Sequence, residues 1–415
     1  MTDVINRRTF ITQAGTLTAA GAFAAELPAA AAGQHSSGTP EATNASIKEE
    51  PVPMDVPLAP PDKQPPHLKL PEAPKRKIGY AIMGLGELAL EQILPAFGAA
   101  HLSRPVALVS GHPDKAQRVA EAYQIGHDAI YGYDDYEAIA QDKRIDVIYV
   151  VLPNSLHSGH TIRALKAGKH VLCEKPMAAS LEEAERMIQT AKETGRKLMI
   201  GYRLHYEPHN LKAMELCQKG ELGRIVAFAS SNCQNVKAPN IRLSKTLAGG
   251  PLGDVGVYSI NAARYILNEE PVEVFAFAHS PSNDGRFREV PETVAYTLRY
   301  PSGVLAHCEC SFGSTESRYF RVTGTKGALE LNPAFPYAGL RMRVKTGSSD
   351  KGDVKDGELV LGQVNHFAAE MDHFSKCILE DLEPRTPGAL GLADLRILAA
   401  LEESVSTGRP VSLRA

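Results

Sequence analysis

The chain has 415 residues, with 45 Lys+Arg against 48 Asp+Glu, six Cys, 28 Pro and no Trp. At roughly 100–200 residues per domain, this length suggests two domains with additional segments. A net charge of −3 gives no electrostatic reason to bind nucleic acid or an anionic membrane, and no uninterrupted apolar run reaches the roughly 18 residues of a spanning helix.

Those totals average three kinds of sequence. Residues 1–32 contain Asn6-Arg7-Arg8-Thr9-Phe10-Ile11, then an Ala/Gly/Thr-rich stretch, then small residues at Ala29–Ala32. The pattern resembles a twin-arginine export signal, an address that sends folded proteins to the periplasm. A plain Ala-rich tail is the alternative. Residues 33–74 hold ten of the 28 prolines and six acids against three lysines. Such an arm cannot build a packed core and favours extended polyproline II conformations. It is either a passive linker or a strap across a neighbouring subunit. The rest of the chain balances at 40 bases and 40 acids, so the arm holds all the net charge.

From Lys75, apolar strands alternate with amphipathic helices. Strands are predicted at Lys77–Met83, Val106–Ser110, Ile145–Leu152, His170–Cys173 and Lys197–Gly201, with helices at 155–167 and 181–194. The run Ile145–Leu152 is apolar throughout, as expected of a parallel strand buried on both faces. Strand and helix in this alternation predict an α/β, doubly wound parallel sheet over 75–200. Its first turn reads Gly84-Leu85-Gly86-Glu87-Leu88-Ala89, the GxGxxA dinucleotide fingerprint between a strand and a helix. The end of the second strand reads Ser110-Gly111-His112-Pro113-Asp114-Lys115. A hydroxyl and a lysine suit a 2′-phosphate, where an acid would repel it, so NADP is favoured over NAD.

Two constellations carry the chemistry. Cys173-Glu174-Lys175-Pro176 ends the strand that starts at His170 and aims Lys175 at the crevice where doubly wound sheets bind ligands. A surface lysine is the bland alternative. Gly249-Gly250-Pro251-Leu252-Gly253-Asp254 runs into a helix with Tyr258. Asp254 and Tyr258 are four apart, hence expected on one helical face, which Asn261 and Ala262 continue. A phenol needs help to act as a base near neutral pH, because its free pKa is about 10. Without the lysine motif, Asp254 could equally be a cap and Tyr258 a packing residue.

Beyond these, 224–232, 272–280, 292–300, 303–312 and 318–323 are β-rich and predict a largely antiparallel sheet in a domain spanning 201–385. A C-terminal helix near 388–407, within 386–415, is expected to pack back on the body. The six cysteines (Cys173, Cys217, Cys233, Cys308, Cys310, Cys377) lack zinc spacing and read as free, mostly buried thiols. No metal site is expected.

The Gly84–Ala89 turn, Pro153-Asn154-Ser155-Leu156-His157, Glu174-Lys175-Pro176 and the Asp254/Tyr258 helix together resemble the Gfo/Idh/MocA oxidoreductases. Within them the chain is most similar to the exported, NADP-containing glucose–fructose and aldose–aldose oxidoreductase branch. The commoner form of the helix carries His where this chain has Tyr258. Ile93–Phe97, Met199–Arg203 and His205–Pro208 also resemble that branch, and the likeness covers the signal, the arm and nearly all of 75–412.

The resemblance implies a Rossmann domain plus an α+β C-terminal domain with a large, mostly antiparallel sheet. It implies Lys175, Asp254 and Tyr258 as the catalytic set, with Tyr258 the general acid/base, Lys175 lowering its pKa and Asp254 holding sugar hydroxyls. Tyr202 and Arg203 would line the sugar pocket. Gly84, Leu85, Gly86, Leu88, Ala89, Ser110, Gly111, Lys115, Leu152, Asn154, His157, Glu174, Lys175 and Arg203 would hold a tightly bound NADP. It also implies a homotetramer or dimer with arm exchange. The segment Asn240–Lys245 is less basic and less aromatic than in the glucose–fructose enzyme, which leaves the acceptor sugar open. An exchangeable-cofactor sugar dehydrogenase, an NAD-dependent glycosidase of the same fold and a non-enzymatic sugar-binding protein remain as alternatives.

Overall fold

The structure, a computed structural model, describes residues 76–347 and 354–413. The expected export signal and arm lie outside the described residues.

The first sheet has six parallel strands: β1 (Ile78–Met83), β2 (Ser103–Val109), β3 (Ile130–Tyr131), β4 (Val147–Val150), β5 (His170–Glu174) and β6 (Leu198–Gly201). Their order is β3-β2-β1-β4-β5-β6, so the strand sequence reverses between β1 and β4 and opens a crevice at their carboxyl ends. All residues of β1 and β4 are buried, as the apolar runs demand. The strand predicted over Ile145–Leu152 pairs only at Val147–Val150 because the chain leaves the sheet at Leu152, whose carbonyl faces His157 Nε2 at 2.8 Å.

Helix boundaries follow their capping chemistry. Leu181–Thr194 starts where Ser180 Oγ accepts the Glu183 N–H at 3.2 Å, and ends at Gly195 in the left-handed region (φ 63°). The helix after the first turn is less regular: a wide π turn over Ala89–Ile93 precedes Leu94–Ala96. Pro95 has no N–H to donate, so a regular i→i−4 ladder cannot run through it.

The second sheet has nine strands: β7 (Ile225–Asn235), β8 (Glu273–His279), β9 (Thr293–Arg299), β10 (Leu305–Ser311), β11 (Gly313–Gly324), β12 (Gly327–Leu331), β13 (Met342–Thr346), β14 (Lys355–Leu359) and β15 (Val411–Ser412). Their order is β14-β13-β12-β11-β7-β10-β9-β8-β15, antiparallel except for β7 with β10. Helices Val257–Leu267 and Gly388–Thr407 cover one face. Cys308 and Cys310 lie on that covered face, and all six cysteines are buried free thiols. The other face is open, with Phe277 65 % exposed and Leu305 39 %.

Strands β12–β14 lie outside the β-rich stretches read from the sequence. Lys355–Leu359 has no apolar alternation because most of it is exposed; Arg341 and Arg343 hold it through Glu358 and Asp356 at 2.7 Å. The helix His366–Leu379, assigned from sequence to the second domain, packs on the first sheet. The Tyr80 hydroxyl donates to Met371 O at 2.9 Å, and Asp372 accepts the Leu102 N–H at 2.9 Å. Helix Gly388–Thr407 starts against the first domain, with Gly388 and Gly391 set tightly on Met177, Ile188 and Ile200. It ends at β8, where Ser404 Oγ accepts the Ala276 N–H at 3.0 Å.

Candidate active site

The crevice at the carboxyl ends of β1 and β4 opens into a cleft of about 840 Å³ between the two sheets. That is within the usual size range for cofactor and small-molecule sites.

On the first-sheet side, Gly84 has φ +97°, and a Cβ there would lie 2.3 Å from Val151 O. Only glycine fits this turn. A Cβ at Gly86, by contrast, meets nothing within 4 Å, so the backbone of the turn faces open cleft. That open cradle fits a dinucleotide pyrophosphate at the start of a helix. Leu85 and Leu88 line the cleft, whereas Ala89 is fully buried against the sheet and does not reach it. Ser110 and Lys115 line the cleft and Asp114 does not, an arrangement suited to a 2′-phosphate. Gly111 is exposed outside the lining; its open side faces Tyr133, a lining residue that the sequence reading missed along with His112.

Leu152 and Asn154 line the same wall, and Asn154 Nδ2 donates to Ala248 O at 2.9 Å, tying it to the loop before Gly249. His157 at the wall is fully buried, with Nδ1 2.8 Å from Pro176 O and Nε2 2.8 Å from Leu152 O. Burial lowers its pKa, despite those carbonyls. It acts as a brace between the β4 and β5 exits.

The second wall gathers the reactive side chains. Lys175 Nζ donates to Asp254 O at 2.7 Å, lies 3.3 Å from Asp254 Oδ1 and sits 4.7 Å from the Tyr258 ring centroid. Arg242 Nε donates to Asp254 Oδ2 at 2.7 Å. Burial works against the charge of Asp254, but Lys175 and Arg242 outweigh it and hold its carboxyl below the usual range. Burial likewise opposes the Lys175 charge, and Tyr258, Asp254 and Glu174 outweigh it in the upward direction. Arg203 lies over the Tyr258 ring at 5.2 Å, its Nη atoms donating to Phe335 O at 2.6 Å and Pro336 O at 3.2 Å. Glu174, just behind Lys175, accepts the Tyr149 hydroxyl at 2.8 Å.

Lys175, Asp254, Tyr258 and Arg203 thus meet in the cleft, as the sequence reading expects. Three placements differ. Tyr202 is buried and outside the cleft lining, its ring packed edge-on to His205; Arg203, the next residue, takes the cleft side instead. Asp254 and Tyr258 do not share a regular α-helical ridge, because Leu252–Gly256 winds as a wide π turn before the α-helix Val257–Leu267. Asn261 does not continue toward the cleft: its side chain joins His205 Nε2 at 2.8 Å and Asp394 at 2.9 Å, and Ala262 is fully buried. Arg242 and Tyr337 are lining residues absent from the expected set. No group of three His, Cys, Asp or Glu able to hold a metal occurs among the described residues.

Comparison with known proteins follows the same division. The oxidoreductase family with NAD-binding Rossmann fold, GFO/IDH/MocA, matches residues 78–202, and the GFO/IDH/MocA C-terminal domain matches 210–330. The chain is 32 % identical over 345 residues to D-xylose 1-dehydrogenase [NADP(+)] of Haloarcula marismortui, covering 81 % of this chain and 93 % of the relative. It resembles the crystal structure of aldose–aldose oxidoreductase from Caulobacter crescentus complexed with glycerol at 41 % identity and TM-score 0.78, covering 81 % of this chain and all of that one. A 3-ketoreductase from Actinomadura kijaniata, solved with TDP-benzene and NADP, is 27 % identical with TM-score 0.68 over 79 % of this chain and 98 % of that one.

Proposed function

The chain belongs to the GFO/IDH/MocA oxidoreductase family, and from that premise we propose that it is a sugar–sugar oxidoreductase with tightly bound NADP(H). It oxidises an aldose at C1 to the aldonolactone and reduces a second sugar, ketose or aldose, to an alditol in a ping-pong cycle. The observation that carries this reading is the cluster of Lys175, Arg242, Asp254 and Tyr258 facing the Gly84–Gly86 cradle across one cleft. The likeness to the Caulobacter aldose–aldose oxidoreductase supports the substrate class.

NADP, when bound in the cradle, supplies the hydride chemistry. The protein's own residues handle the proton. Tyr258 takes it from the C1 hydroxyl in the oxidative half and returns it to the new hydroxyl in the reductive half. Lys175 and Arg242 bring two positive charges to the single carboxylate of Asp254, so one positive charge is left beside the Tyr258 ring. Held in place before reaction, it stabilises the phenolate as the proton is taken. The Asp254 carboxylate, pinned by two cations, is an acceptor for sugar hydroxyls.

Export supports the retained cofactor. Arg7-Arg8 mark a twin-arginine route to the periplasm, which supplies no free NADP, so regeneration on one bound cofactor suits that location. The open sheet face carrying Phe277 and Leu305 suits face-to-face pairing into a homodimer or homotetramer, with the proline-rich arm strapped across a neighbour. Purified protein given pairs of sugars without nucleotide is expected to form aldonate and alditol together.

A second reading, a conventional NADP-dependent aldose dehydrogenase, is favoured by the likeness to the xylose dehydrogenase. Nucleotide lost on gel filtration, with turnover restored only by added NADP⁺, would establish that reading instead.

A further inference from the structure

Tyr258 is the second residue of the helix Val257–Leu267, directly after the wide π turn Leu252–Gly256, where backbone hydrogen bonding is less regular. Its ring meets the Lys175 and Arg203 cations, and cation–ring attraction tolerates a range of distances. The place of the phenol oxygen therefore depends on what pins the helix.

Asn261 and Arg264, three and six residues on, occupy successive turns of the same helix. Both bond the carboxylate of Asp394, which is fully buried: Asn261 Nδ2 donates to Oδ2 at 2.9 Å, and Arg264 Nη1 donates to Oδ1. Glu270 accepts from the rest of the Arg264 fork at 2.6 and 2.7 Å. Asp394 lies one turn after Gly391, where a Cβ would come within 3.0 Å of Met177, two residues beyond Lys175. One helix turn thus abuts the segment carrying Lys175 and holds the helix carrying Tyr258.

Asn261 extends the chain to the third group. A carboxylate only accepts, so the amide turns its N–H toward Asp394 and its carbonyl toward His205. Burial pushes the His205 imidazole down to about 4, so near neutral pH the ring has one proton, and the Asn261 carbonyl places it on Nε2, 2.8 Å away. His205 is two residues after Arg203, and its own carbonyl accepts from Arg385 Nη1 at 2.6 Å. Asn261, His205 and Asp394 all lie outside the cleft lining. A buried ion pair often adds little stability over apolar packing; what a hydrogen-bond chain of fixed polarity adds is register.

We propose that Asn261 is a positioning residue: by joining Asp394 to His205 it locks the Tyr258 helix to the Arg203 turn and to the Lys175 segment, and so holds the Tyr258 ring against both cations. Its effect on rate rests on the reading of Tyr258 as the acid/base; its effect on the place of the ring does not.

Fluorotyrosine NMR of the purified full chain reads that place without any substrate, the Tyr258 resonance being identified by its absence from Tyr258→Phe. Asn261→Leu cuts both links, leaves the Asp394–Arg264 pair, and is expected to shift and broaden the resonance. His205→Phe keeps a ring edge-on to Tyr265 at the wild-type 4.9 Å, cuts only the link to the Arg203 turn, and is expected to shift it less. A resonance at the wild-type position in either folded variant overturns the proposal, because a residue that merely adds stability lowers Tm and leaves the folded-state ring where it was. Kinetics gives the second readout. A misplacement of about 1 Å costs up to about 10²-fold in rate, so kcat for sugar oxidation is expected to fall about 10²-fold in Asn261→Leu with nucleotide binding intact. With Tyr258→Phe already present, Asn261→Leu is expected to cost nothing more, and equal losses in both backgrounds overturn positioning through Tyr258. A resonance that moves while kcat holds keeps the positioning and refutes Tyr258 as the proton carrier, so the two readings fail separately.

Discussion

The two walls of the cleft are built on different principles. The cradle wall is built around five consecutive residues, Gly84–Leu88, whose conformation is set locally by a glycine that no side chain can replace. The reactive wall is assembled from Lys175, Arg203, Arg242, Asp254 and Tyr258, brought together by ion pairs and cation–ring contacts across long stretches of chain. The first wall is therefore fixed by backbone sterics, the second by charge balance. Each should fail in its own way.

Tyr258→Phe keeps the ring and removes only the oxygen. Loss of a general acid/base typically costs 10²–10⁴-fold, so kcat for sugar oxidation is expected to fall about 10³-fold with nucleotide binding intact. Steady-state kinetics beside a nucleotide titration checks the separation. Gly84→Ala should do the reverse. Its Cβ would meet Val151 O at 2.3 Å, so nucleotide binding is lost and calorimetric stability drops by about 1–3 kcal/mol.

Arg242→Met leaves Asp254 with Lys175 alone. No positive charge is then left over beside the Tyr258 ring, and since a hydrogen bond to a charged group contributes about 1.5–3 kcal/mol, kcat for sugar oxidation is expected to fall about tenfold, more than sugar KM rises. Asp254 also gives the reactive wall a pH signature. Its folded pKa is depressed, so its stabilising contribution is present above the unfolded value of about 4 and is lost as pH falls through the folded one. Thermal scans should show the wild-type advantage over Asp254→Asn shrinking below about pH 4. Ser180→Ala removes a helix cap remote from both walls and is expected to cost about 1 kcal/mol with kinetics unchanged.

The same contrast explains what could be read from the sequence. Five strands of the first sheet and its turn were legible because glycine spacing and apolar runs are local signals, and even the Ser110/Lys115 preference rests on nearby residues; the two-residue β3 was not, being too short to show a pattern. Lys175, Asp254 and Tyr258 were legible as motifs, but their contacts were not. Arg242 lies in a loop with no distinguishing pattern, and its role appears only once that loop folds over Asp254. Tyr202 misled because it adjoins Arg203; the chain turns one inward to His205 and the other toward the cleft. Strand β14 escaped notice because an exposed strand held by arginine–carboxylate pairs has no apolar period to detect.

The most direct test of sugar-to-sugar transfer is isotopic. Purified protein without added nucleotide is incubated with an aldose deuterated at C1 and an unlabelled second sugar, and the products are read by mass spectrometry. The expected result is deuterium in the alditol, in amounts matching the aldonate formed. Label that stays in the aldose until NADP⁺ is added would contradict a retained-cofactor cycle.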